Sequence, residues 1–183
     1  NGYPPMPADW LTVADLLGKY DNKVAINIAY ILGNSPVRIW ALGWENRPAT
    51  DSEIEEMRSV VKEAMEEGAW GISAQLEYGG LNLYVSTEEV IEVSSVVREF
   101  GGFYIAHIRD EASKFVEAVI ETIAIGEGAG IPVVVTHLKA TGRTNWGLMR
   151  DVVAEINRAR ARGVMITADQ YPFLQGAPID YIT

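Results

Sequence analysis

Short apolar runs recur along this chain about every 30 residues, and each is preceded by a segment of helical periodicity. That alternation restricts the fold more than any other feature. Strand candidates begin near Trp70, Phe103, Pro132 and Val164, and a further one runs from Val24 to Ile31. The runs are near-continuous rather than alternating, with Val133-Val134-Val135 the clearest. Such runs predict parallel strands buried on both faces.

The helical segments carry their own punctuation. The segment from Asp51 to Glu67 places Ile54, Met57, Val61, Ala64 and Met65 on one face. Thr50 and Glu53 make a capping box before it, and Gly68 stands where it should end. The next, Thr87 to Phe100, opens with Ser86 and Glu89 and closes at Gly101-Gly102. A third is expected from Glu111 to Glu127 and a fourth from Leu148 to Arg162, each followed by glycine. A short helix, Thr12 to Lys19, precedes them all.

Strands alternating with helices imply right-handed crossovers. A doubly wound sheet and part of a (β/α)8 barrel both satisfy that rule. No G-x-G-x-x-G follows the first strand, which removes the main cue for a dinucleotide fold. Polar residues gather where the strands end: Ser73 and Gln75, His107 and Arg109, His137 and Lys139, Asp169 and Tyr171. Barrel enzymes build their sites at those ends, so the pattern favours the barrel. A complete barrel takes about 250 residues. The expectation for 1–183 is therefore a single incomplete barrel domain of α/β class, about five βα units long.

His107 and His137 are the only two histidines in 183 residues. Both lie at the ends of apolar runs in successive units. Imidazole is the commonest metal ligand, and repeated placement points to one shared site. There is no cysteine, hence no thiolate ligand and no disulfide, which fits a reducing cytoplasm. The net charge of −10 argues against nucleic acid and anionic membranes as partners. No apolar run approaches the ~20 residues needed to span a bilayer.

The motifs Gly68-Ala-Trp-Gly-Ile-Ser73, Tyr104-Ile-Ala-His-Ile-Arg-Asp-Glu111, Thr136-His-Leu-Lys-Ala140, Asn145-Trp-Gly147 and Ala168-Asp-Gln-Tyr-Pro172 run in one order. Together they resemble the metal-dependent amidohydrolase superfamily, in its N-acyl-D-amino-acid deacylase branch. The resemblance implies a (β/α)8 barrel of the metallo-dependent hydrolase type, of which this chain carries strands 3 to 7. It implies that His107 ends strand 5 and His137 ends strand 6, both as ligands of catalytic zinc, with one or two ions in the whole protein. Lys139 would face the substrate carboxylate, and Tyr78 and Arg109 would also contact substrate. Asp169 would act behind the ligands, with Asp110 and Glu111 as further candidates, although their position before a helix favours capping. The implied substrate is a small N-acyl amino acid, and a homo-oligomer is allowed.

The departures are specific. The family's His-x-His pair has no counterpart here, and its catalytic Asp would lie beyond Thr183. Asn34 stands where relatives carry His, and Ser73-Ala-Gln-Leu76 replaces Ser-Thr-Gly-Leu. The segment alone is thus expected to bind zinc weakly and to be inactive. Dihydroorotase-like cyclic amidohydrolases are the enzymatic alternative. A non-catalytic structural or oligomeric homologue is the other.

Overall fold

A computed structural model of the chain describes residues 10–77, 82 and 84–173. Five parallel strands form one sheet in the order of the chain: β1 (Leu32–Gly33), β2 (Gly71–Gln75), β3 (Phe103–His107), β4 (Val133–Val135) and β5 (Ile166–Ala168). The order never reverses. With right-handed crossovers, an unreversed order puts every connecting helix on the same face. This decides between the two architectures that the sequence allowed. The sheet is a singly wound arc of consecutive βα units, as in a barrel.

Register shows which residues share a face. Gly71 pairs with Phe103 and Gln75 with His107, while Val134 pairs with Ile105 on one side and Thr167 on the other. Ile72, Ala74, Tyr104, Ala106, Val133, Val135 and Ile166 are all 3% exposed or less. They pack with Met57, Val61, Val93, Phe115, Val119 and Val152 from the helices. The opposite face carries Ser73, Ile105, His107 and Val134, which are half-buried, and Gln75 and Thr167, which are exposed. Burial on both faces is therefore not found among the described residues. Apolar residues such as Ile105 and Val134 line the open face as well, which makes the runs look continuous.

The helices follow local chemistry closely. In α3 (Asp51–Glu66), Thr50 accepts a hydrogen bond from the Glu53 amide while Glu53 reaches back to the Thr50 amide. The same box, Thr12 with Asp15, opens α1 (Val13–Gly18). Ser86 caps α4 (Thr87–Ser95), and its last turn tightens into a 3₁₀ helix, Val96–Phe100, before Gly101 turns left-handed. Past α6 (Met149–Ala161), Gly163 also takes a positive φ.

Three boundaries differ from expectation. The first strand is confined to Leu32–Gly33 instead of Val24–Ile31, and Val24, Ile26 and Ile28 are exposed. Residues 24–31 contribute one ladder-like bond, from the Trp70 amide to the Tyr30 carbonyl at 2.8 Å. An apolar run becomes a strand only where a neighbour pairs with it. An additional helix, α2 (Asn34–Leu42), follows directly on β1. Its signal is Pro36 in the first turn, a position where a missing amide costs nothing. Finally, α5 (Phe115–Ala129) starts four residues later than Glu111. Oδ1 of Asp110 accepts from the amides of Ala112 (2.6 Å) and Lys114 (3.1 Å), which makes residues 110–114 a separate turn.

Among the described residues no helix is long and apolar enough to cross a membrane.

Candidate metal centre

The two histidines meet. His107 closes β3, and Nε2 of His137 lies 2.6 Å from its Nδ1, the rings set edge to face with centroids 4.3 Å apart. Strand alternation alone does not bring them together. Thr136 continues the ladder through its amide to the Ala106 carbonyl. His137 then adopts a left-handed backbone, φ 41°, which breaks the strand. Asp169, just past β5, holds that turn: Oδ1 accepts from the His137 amide at 2.5 Å, and its main-chain carbonyl accepts from Leu138 at 2.9 Å. Asp169 thus touches the backbone of His137 rather than its ring.

The ring of His137 meets a different carboxylate. Oε1 of Glu111 is 2.8 Å from His137 Nδ1, and Oε2 pairs with the ammonium of Lys139. Thr141 adds its hydroxyl to Oε2 at 3.3 Å and its amide to the Glu111 carbonyl at 2.7 Å. Glu111 is 5% exposed, so its charge is buried and compensated by Lys139. The sequence favoured capping for both Asp110 and Glu111. Asp110 does hold the turn, whereas Glu111 turns into the site. The delayed start of α5 makes this possible.

Electrostatics favour neutral imidazole. Loss of hydration and then the neighbouring His137 hold His107 below the ordinary histidine range, with Glu111 and Asp169 opposing. A neutral ring keeps the lone pair that a metal needs. Glu77, just beyond β2, is a member of this neighbourhood that the motifs did not mark. Its carboxyl is raised by loss of hydration and then by Glu111, with Lys139 opposing, although it keeps solvent contact.

Arg109 goes elsewhere. Its Nε and Nη2 grip Glu121 of α5 at 2.8–3.2 Å, and Nη2 also donates to the Val85 carbonyl. This ion pair ties the end of β3 to α5. Tyr78 lies outside the described residues. Lys139 borders a cleft of about 610 Å³ whose walls include Arg143, Trp146, Met149, Tyr171 and Phe173. Its ammonium stands 5.8 Å above the Tyr171 ring.

Two imidazole nitrogens in contact with each other, with a carboxylate behind one ring, are suitable donor types for zinc or a similar ion. They are fewer than the roughly three protein ligands of a catalytic site. Among the described residues no group of three His, Cys, Asp or Glu is arranged to hold a metal.

No family model matches the chain. A D-aminoacylase of Alcaligenes xylosoxydans xylosoxydans is 39% identical over 184 positions, covering 95% of this chain and 38% of that protein. The N-acyl-D-glutamate deacylase of Bordetella bronchiseptica, solved with zinc and a phosphonate inhibitor, superposes with a TM-score of 0.84 at 33% identity. That match covers 94% of this chain and 36% of the deacylase. A D-aminoacylase described as having a binuclear metal centre gives a TM-score of 0.84 at 32% identity over 95% of this chain and 38% of that one. The chain therefore spans a little over a third of the length of these relatives. With that likeness extending along almost the whole chain, and with both histidines converging at the strand ends, the chain matches a segment of the D-aminoacylases, which are amidohydrolases.

Proposed function

We propose that these residues supply the two-imidazole side of a zinc site in a hydrolase that cleaves the amide bond of N-acyl-D-amino acids. The observation that carries this reading is the 2.6 Å approach of His137 Nε2 to His107 Nδ1 at the ends of adjacent parallel strands. Nδ1 of His107 and Nε2 of His137 would hold the metal. Zinc bound there would lower the pKa of a water to about 7 and polarise the scissile carbonyl. Lys139, on the rim of the cleft, would meet a substrate carboxylate, and Trp146, Met149 and Phe173 would offer apolar surface to the rest of the molecule. The relatives named for D-amino-acid substrates support this substrate class.

A His-x-His pair and a proton-shuttling Asp are absent from this sequence, so the 183 residues are proposed to be inactive alone. The test is metal analysis by mass spectrometry on the full-length protein, wild type against His107→Ala and His137→Ala. A screen of N-acyl-D- against N-acyl-L-amino acids accompanies it. Zinc that falls in both variants, with turnover of the D series only, is expected. Unchanged metal content in both variants would refute the assignment.

A further inference from the structure

Glu111 is buried, and its carboxylate meets residues of the His137 turn: Nδ1 of His137 and the side chains of Lys139 and Thr141. A surface cap would be solvated, and α5 begins too far along the chain for Glu111 to cap it. Nδ1 is also 3.1 Å from the Lys139 ammonium, so two hydrogen-bond patterns compete at this atom. An ammonium can only donate, and would require a bare Nδ1; a carboxylate can only accept, and requires Nδ1–H. The ammonium already has Glu111 as its partner. A carboxylate contact to Nδ1–H is also charge-assisted, which strengthens it over a neutral contact.

We infer that Glu111 is a positioning residue: it fixes His137 as the Nδ1–H tautomer, leaving Nε2 bare for metal, and moors Lys139 beside it. In the metal-free chain Nε2 then accepts from His107 Nδ1–H across the 2.6 Å contact, so the same assignment satisfies both rings; metal at His107 Nδ1 would require that proton to move to its Nε2. One carboxylate would thereby link the ligand to the cation that borders the cleft. This rests on the zinc-hydrolase reading only for its consequence in metal affinity. The tautomer stands independently of it.

The test uses the chain with histidine ring nitrogens labelled by ¹⁵N, free of metal, read by long-range ¹H–¹⁵N NMR. His137 should show a protonated Nδ1 and a bare Nε2 in the wild type. A wild-type His137 protonated on Nε2 would overturn the inference without any variant. Glu111→Ala should mix the tautomers and weaken binding of Zn²⁺, titrated alone, by about 10–100-fold, the usual effect of losing such a partner. Glu111→Gln keeps an acceptor at nearly the same volume, so it should preserve the tautomer while losing part of the affinity. Unchanged tautomer and unchanged affinity in folded Glu111→Ala would overturn the inference. If in the full-length protein the wild type takes up no Zn²⁺, the hydrolase reading fails, and the NMR signal still decides the role of Glu111.

Discussion

His137 occupies a backbone conformation that L residues avoid, at a cost on the order of 1 kcal/mol. The short bond from its amide to Asp169 offsets that cost and fixes where the ring emerges. Its partner His107 makes the folded state sensitive to acid. Because folding lowers the pKa of His107, the unfolded chain binds more protons between that lowered value and the ordinary value of about 6.5. Stability is therefore full above about 6.5 and declines as pH falls through this window. Urea midpoints of the metal-free chain should drop between neutral and mildly acidic pH, and the drop should be smaller in His107→Gln. An equal drop in the variant would remove His107 as the cause. Tyr104 offers a second residue-scale check. It is fully buried, and its hydroxyl has no hydrogen-bond partner among the described residues. Burial pushes its pKa up accordingly. Tyr104→Phe should be neutral or stabilising in thermal melts, because it removes an unsatisfied polar atom and keeps the ring.

Between elements, a buried polar link joins Arg38 of α2 to Glu89 of α4, at 2.9 Å with both side chains almost inaccessible. Arg38 also donates to the Arg47 carbonyl at 2.5 Å, tying α2 to the approach of α3. Removing one member strands the other charge in the core. Arg38→Met should cost about 3–5 kcal/mol in denaturant unfolding. Arg38→Met with Glu89→Leu should recover most of the loss. A single variant as stable as wild type would mean that water reaches the pair. The joint between β2 and β3 is equally exacting. A Cβ on Gly71 would sit 2.2 Å from the Phe103 carbonyl oxygen, a backbone atom that cannot yield without breaking register. Gly71→Ala should destabilise by at least the ~1–3 kcal/mol typical of overpacking. A melt within error of wild type would show that the two strands can part locally.

At the scale of the whole molecule, the arc has one face covered by helices and one open, and large apolar side chains remain on the outside. Trp40, Trp44, Trp70 and Trp146 are each more than half exposed, and Trp10 is 39% exposed. The chain contains five tryptophans, so its fluorescence should resemble solvent-exposed indole, be readily quenched by acrylamide and shift little on unfolding. A blue-shifted, protected emission would show that these rings are covered in solution.

Much of this arrangement was legible because it depends on neighbours in sequence. Thr50 with Glu53, Ser86, Gly101 and Gly130 act on amides or carbonyls within a few residues, so the helix ends could be read directly. The apolar runs marked β2 to β5 for the same reason, and the repeated His at strand ends marked the site. Strand status for Val24–Ile31, the single winding of the sheet and the open face depend on which segment pairs with which, and no local pattern carries that. Glu111 illustrates the limit. Its place before a helix suggested a cap, yet the turn built by Asp110 carried it to His137 and Lys139. The pairing of Arg109 with Glu121, twelve residues on, was likewise not legible, because the two come within reach only once α5 has formed. The sequence by itself determined the βα alternation, the helix caps and the two histidines, all set by short-range hydrogen bonding and hydrophobic period. Only tertiary structure decided which carboxylate meets which ring, because burial and long-range packing, rather than spacing along the chain, select the partner of a charge.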